Sequence, residues 1–420
     1  MNKKVEKLSD EKKNFPKFLL LWAGEFISSI GGGLTSFGLG VYVFQQTGSA
    51  AGMALVTLLG FLPNLFLSVP AGVLADRYDR RILMMLGDGL SAFGIIYILV
   101  CMMNGGAELW QICVGVTISS IFSSLLEPAY RATITDLLTK DQFSKASGLV
   151  GLAGSARYLI SPLLAGILLK ISDVKLLLII DISTFVITVI ATAVVKKGIK
   201  AKVGETTETF KQSLKTGWKA IKKRRGVLEL VVISSVITLF MGIFQILAEP
   251  MVLSFSDSMV LGIAETVCAS GMLVTSIFLG ARGLKKNFTK ILSISLAVSG
   301  LGIIGFGVIE NIYIITAFGF LFFAALPFAN NCLDYLVRTN IPDKLQGRVW
   351  GLISFISQLG YVVAYAVSGV VADGFSKAFD VSVGRGAAIT VMIAGTILIL
   401  VALPIMKNRK IKALEERKEL

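Results

Sequence analysis

Gly72-Val73-Leu74-Ala75-Asp76-Arg77-Tyr78-Asp79-Arg80-Arg81 joins two apolar runs, residues 50–75 and 82–103. Three arginines and two aspartates within its last six residues cannot rest in hydrocarbon. Each flanking run is long enough, at 1.5 Å per helical residue, to cross a bilayer core about 30 Å thick. The charged stretch therefore reads as a turn at a membrane surface between two transmembrane helices.

The same alternation continues along the whole chain. Apolar runs fall at about 16–44, 50–75, 82–103, 109–135, 146–169, 174–195, 226–254, 259–281, 290–309, 312–337, 349–373 and 385–406. Of 420 residues, 54% are hydrophobic and 16% charged, with a mean hydropathy of +0.77. Soluble domains carry roughly a quarter charged residues, so this excess is a lipid-facing surface. The runs are continuous rather than alternating, which excludes a transmembrane β-barrel. The expected fold is an all-α membrane protein of twelve helices in the lipid bilayer.

Twelve crossings put both termini on one side. Of the 41 Lys and Arg residues, 36 lie in the N-terminal tail, the C-terminal tail and the turns on that side; Lys170, Lys175, Lys377 and Arg385 lie opposite, and Arg157 lies within a span. This asymmetry marks the basic side as cytoplasmic, in the inner or plasma membrane of the cell. It also explains the net charge of +14 without a nucleic-acid partner. The first apolar run is too long for a signal-peptide core and lacks a small-residue cleavage site, so the N-terminus is expected to be retained.

Residues 196–225 are polar, with eleven Lys or Arg and with Thr206, Thr207 and Thr209. They divide six spans from six, giving a first bundle at 1–195, a basic linker at 196–225, a second bundle at 226–406 and a tail at 407–420. The halves look related. Gly148, Tyr158 and Gly166 match Gly351, Tyr361 and Gly369 at a constant offset of 203, and Asp76–Arg81 has a degenerate counterpart in Ala281–Lys286 at offset 205. Both halves start on the same side, so the repeat is parallel, about an axis along the membrane normal.

The chain contains no histidine, which removes the commonest general base and the His-containing triads; an enzyme is not expected. Cys101, Cys113, Cys268 and Cys332 lie far apart in apolar segments and read as small hydrophobes, so no metal or cofactor is called for. Gly300-Leu301-Gly302-Ile303-Ile304-Gly305 has the GxGxxG spacing, but no strand precedes it, and close helix packing explains it better than a dinucleotide. No GxxxxGK[ST] sequence occurs, so uphill work needs an ion gradient rather than nucleotide hydrolysis by this chain. A monomer is expected.

The charged turn itself exceeds what topology needs. Gly72 can admit a neighbouring helix, Asp76 can cap a helix N-terminus, and Arg77, Arg80 and Arg81 can pair with carboxylates at other helix ends. These residues resemble the G-x-x-x-D-R-x-G-R-R motif of the major facilitator superfamily, with Asp79 where that family usually has Gly. The D-R-x-D-R-R form, together with Trp22-Ala23-Gly24, Gly60-Phe61-Leu62-Pro63 and Ser161-Pro162, is similar to the branch of macrolide-efflux and drug:proton antiporters. The resemblance implies two six-helix bundles that rock about a central site. It also implies a gate in which Asp76 meets the start of span 11 and Arg80 pairs with Asp136 at the end of span 4. Asp79 is expected to disturb the local turn, although Asp tolerates unusual φ better than most residues. Ser161, Pro162 and Gly166 are similar to the family's antiporter motif G-P-x-x-G-G, with Ser161 and Ala165 replacing two glycines; a plain proline kink is the alternative.

Charges within spans are costly and usually face a cavity or a partner. Glu25, Asp88, Glu127, Arg157, Asp181, Glu249, Glu265 and Asp334 qualify. Asp88 and Asp334 are near span ends, and Asp181 and Glu249 are close enough to the outer surface to reach water. That leaves Glu25, Glu127 and Arg157 as candidates for proton coupling or the substrate cavity, with a Glu127–Arg157 pair across spans 4 and 5 that is either structural or a proton switch. The resulting expectation is a secondary exporter of amphipathic, drug- or macrolide-like small molecules, exchanging them for protons. A facilitator or importer on the same fold is the alternative, and a channel or receptor is disfavoured because no filter sequence or acidic ring appears.

Overall fold

The computed structural model describes residues 2–139, 142–196, 210–223 and 225–416. Lys140 and most of the linker, including Thr206, Thr207 and Thr209, lie outside the described residues. All twelve apolar runs are helical, and among the described residues there is no strand. The helices long and apolar enough to cross a membrane are Asn14–Thr47, Ala50–Arg77, Arg80–Met103, Leu109–Leu137, Lys145–Ile171, Val174–Lys196, Gly226–Leu253, Ser258–Arg282, Phe288–Val308, Ile312–Asn340, Arg348–Phe379 and Val383–Ile405, here spans 1 to 12. Helices satisfy every backbone group internally, as hydrocarbon requires.

Two spans are broken, and a proline stands just beyond each break. Span 4 consists of Leu109–Ser123 and Leu126–Leu137. Pro128 has no N–H for the carbonyl of Ser124 four residues earlier, so the ladder lapses there. Span 5 is Phe143–Leu159 followed by Ser161–Ile171; Pro162 opens the second piece, where its missing N–H costs nothing.

The contacts divide the chain into two compact units, Met1–Tyr42 with Val56–Thr206, and Val43–Leu55 with Thr207–Leu420. In the first, span 1 is fastened to span 5. The Trp22 indole donates to the Leu149 carbonyl at 2.6 Å, Ser29 Oγ to Ala153 O at 2.9 Å and Ser161 Oγ to Ile30 O at 3.0 Å. The second unit repeats the device between spans 7 and 11, where Ser235 Oγ donates to Ile356 O at 3.2 Å. Ser29 and Ala153 correspond to Ser235 and Ile356 within a few residues of the sequence offset, so the internal repeat extends to an individual hydrogen bond.

Small residues set the remaining approaches. A methyl on Gly94 would run into the Gly115 carbonyl between spans 3 and 4. The GxGxxG stretch of span 9 is packing surface, as expected from its composition: a methyl on Gly300 would lie 2.8 Å from Gly395 O, and one on Gly302 2.8 Å from Phe322 N. Beyond span 12, Arg409–Glu416 folds back on the second unit, burying Ile411 and Leu414. There Glu415 accepts from Phe288 N at 2.9 Å and Thr289 N at 3.2 Å, neutralising the exposed donors at the start of span 9.

Residues Val43–Leu55, the end of span 1 and the start of span 2, pack within the second unit. Asp373 of span 11 accepts from Ser49 Oγ at 2.6 Å, Ala50 N at 3.0 Å and Ala51 N at 3.1 Å. Its carboxylate thus caps span 2 from a distant part of the sequence. Gly369, one turn earlier, permits this, because a methyl there would sit 2.6 Å from Ala50 O.

Candidate functional site

The charged turn is ordered by its own side chains. Span 2 ends at Arg77 and span 3 starts at Arg80, with Asp79 as the N-cap accepting from Arg81 N at 3.0 Å. Asp79 has φ −61° and ψ 112°, an extended conformation open to any residue. The expected disturbance is therefore absent: the position needs a cap, not the conformational freedom of glycine. Arg81 is 2% exposed, with Nε 3.6 Å from Asp79 Oδ1.

Arg80 is the hub. Its Nη1 lies 2.8 Å from Asp136 Oδ2 at the end of span 4 and donates to Ala132 O at 3.1 Å, while Nε donates to Ala75 O at 3.1 Å. Spans 2, 3 and 4 thus meet on one guanidinium, and both members of the ion pair are 14% exposed. Asp76 sits 3.8 Å from Arg80 Nη2 and is 39% exposed. Arg77 is exposed, and a methyl on Gly72 would meet nothing within 4 Å, so no close helix approach occurs at Gly72 among the described residues.

The span-borne charges are arranged differently from the expected pairing. Glu127 binds Arg131, one turn along its own helix, at 2.8 Å; the two side chains are 72% and 66% exposed. Arg157 is exposed on the first piece of the broken span 5, with its Cγ 3.2 Å from where a Gly33 methyl would stand, and its charge acts on Asp181. Glu127 acts electrostatically on Glu25, so these two acids share a region of the first unit. Ser161, Pro162 and Gly166 are buried, and Ser161 supplies the hydroxyl that joins spans 1 and 5.

Two acids set aside on linear position turn out to be enclosed. Asp181 is 1% exposed and accepts from Thr35 Oγ1 at 2.6 Å. Gly31 makes room for it, since a methyl there would lie 2.8 Å from Asp181 Oδ1. Asp88 is also 1% exposed. Distance to a helix end misjudged both, because neighbouring spans rather than depth alone decide enclosure. In the second unit, Asp373 went unnoticed because it is the last residue of the apolar run 349–373, whereas the helix continues to Phe379. A helix starting at Ser49-Ala50-Ala51 without an acidic first turn was the available signal.

Residues 21–365 match the Major Facilitator Superfamily. The chain belongs to that superfamily. Among curated proteins it is similar to Macrolide efflux protein A of Streptococcus pyogenes, 24% identical over 85% of this chain and 89% of that protein. It is also similar to the uncharacterized MFS-type transporter YfiS of Bacillus subtilis, 25% identical over 95% and 94% respectively. The superfamily fold is equally evident in solved structures. A bacterial homologue of the human lysosomal transporter Spinster superposes with a TM-score of 0.73 at 12% identity over 96% of this chain and 98% of that one. The nucleoside transporter NupG gives 0.73 at 13% identity over 94% and 100%. This is a multi-pass membrane protein with the fold of transporters.

Proposed function

We propose that this superfamily member exports amphipathic, macrolide-like small molecules in exchange for protons, with both termini in the cytoplasm. The observation that carries the reading is the similarity to Macrolide efflux protein A along 85% of the chain, since it spans both six-helix halves rather than one motif. Proton drive is supported by acids in the apolar interior of the first unit, Glu25 and Asp181, with Arg157 acting on Asp181. The Arg80–Asp136 pair and Asp76 act as the gate that closes the cytoplasmic end, and Ser161, Pro162 and Gly166 keep span 5 close to span 1 as the bundles rock.

The energetics suffice. One charge moving inward across 100 mV supplies about 2.3 kcal/mol, enough for a roughly fifty-fold solute gradient at full coupling. Inverted vesicles containing the protein should accumulate radiolabelled erythromycin when their lumen is acidic and inside-positive, and lose it when an uncoupler is added. Accumulation that survives the uncoupler sinks the proton reading, and absence of any macrolide movement sinks the substrate reading.

A further inference from the structure

Asp88 stands apart from the acids used above. It lies eight residues into span 3 from Arg80, about 12 Å along the helix. Both of its carboxyl oxygens are shielded from solvent and accept no hydrogen bond among the described residues. Asp181, equally enclosed, has Thr35 as a donor; Asp88 has no counterpart.

The groups around it are the wrong sign to hold an anion. From span 1 the charge acting on it is Glu25, and from span 6 it is Asp181. From span 4, Phe122, Leu125 and Leu126 face the adjacent Gly87, and Thr133 meets Met84, one turn below Asp88, at 3.7 Å. The Tyr130 hydroxyl, on the same helix as Thr133, is also buried without a hydrogen-bond partner among the described residues. Among the described residues of the first unit, Arg80 pairs with Asp136, Arg81 lies against Asp79, Arg131 pairs with Glu127, and Arg157 acts on Asp181. An ionised carboxylate shielded from solvent and without a hydrogen-bond donor is among the costliest arrangements in an apolar interior, whereas the neutral acid carries no such charge.

We propose that Asp88 is a proton-binding site of this transporter, protonated while the first unit is packed as here and releasing its proton to water when the spans around it part. The only bond made or broken is the carboxyl O–H, with water as donor and acceptor. The transport arm of the test rests on the antiport reading; the protonation arm does not.

Asp88→Asn keeps the shape and cannot titrate, while Asp88→Leu removes the polar group altogether and suits the same apolar surroundings. At neutral pH, infrared spectra of the purified protein in lipid nanodiscs should show the carbonyl stretch of one protonated carboxylic acid in the wild type that both variants lack. In inverted vesicles, either variant should lose about tenfold or more of its pH-driven erythromycin accumulation while keeping downhill exchange within about twofold. Unchanged infrared spectra, or full pH-driven accumulation by either variant, overturns the proposal. If the wild type itself ignores the pH gradient, the antiport reading fails and the infrared comparison alone decides Asp88.

Discussion

Arg80 touches three helices, and a lysine in its place would reach at most one or two of the acceptors it now serves. Its planar fork contacts Asp136 and Ala132 O together while Nε holds Ala75 O, a geometry that an ammonium cannot reproduce. Arg80→Lys should therefore lower stability by about 1–3 kcal/mol. A thiol-reactive dye can read this on heating, because Cys113, Cys268 and Cys332 are buried free thiols. Asp76→Asn, at a 39% exposed site, should stay within about 1 kcal/mol of wild type while slowing transport. An unaltered melting curve for Arg80→Lys would show that the three-way contact is not needed. Asp79 gives a second comparison at the same turn. As an N-cap it should be replaced by Gly at a cost of a few tenths of a kcal/mol and by Ala at about 1 kcal/mol; equal effects would deny it the capping role.

Between helices, Gly33 of span 1 fits tightly against Ser161 of span 5. A methyl on Gly33 would overlap the Ser161 hydroxyl, so Gly33→Ala should cost about 1–3 kcal/mol through overpacking. Adding Ser161→Gly removes the overlap along with the bond to Ile30 O, and the double variant should melt above Gly33→Ala alone; a further drop would mean that the sites do not share one contact. At this scale the sequence was readable in part. Twelve runs longer than a bilayer crossing announced twelve helices, and GxGxxG in span 9 was legible as packing because no strand preceded it. The partners of charged side chains were not. Glu127 reaches Arg131 rather than Arg157 because one helical turn places them side by side, while the break at Ser124–Leu125 leaves the direction of the second piece of span 4 outside any linear reading. Arg80–Asp136 was legible only because the motif it belongs to carries its partner with it.

At the scale of the molecule, the six-plus-six division and the hydrogen bonds Ser29–Ala153 and Ser235–Ile356 show one design used twice, which the constant offset of glycines and tyrosines already indicated. Asp373 departs from that symmetry. Asp373→Ala would leave Ala50 N, Ala51 N and Ser49 Oγ without their acceptor, and should cost about 1–2 kcal/mol, as loss of an N-cap does; an unchanged dye-monitored melt would show that solvent replaces the carboxylate without penalty. The capped turn and its cap are 324 residues apart. At a synthesis rate of about 5–20 residues per second, the start of span 2 emerges roughly 16–65 s before the aspartate that completes it. During that interval the nascent second helix has a bare N-terminus, and anything that holds or shields it then, an insertion chaperone or a lipid headgroup, acts on a joint that the finished protein closes only near the end of its own translation.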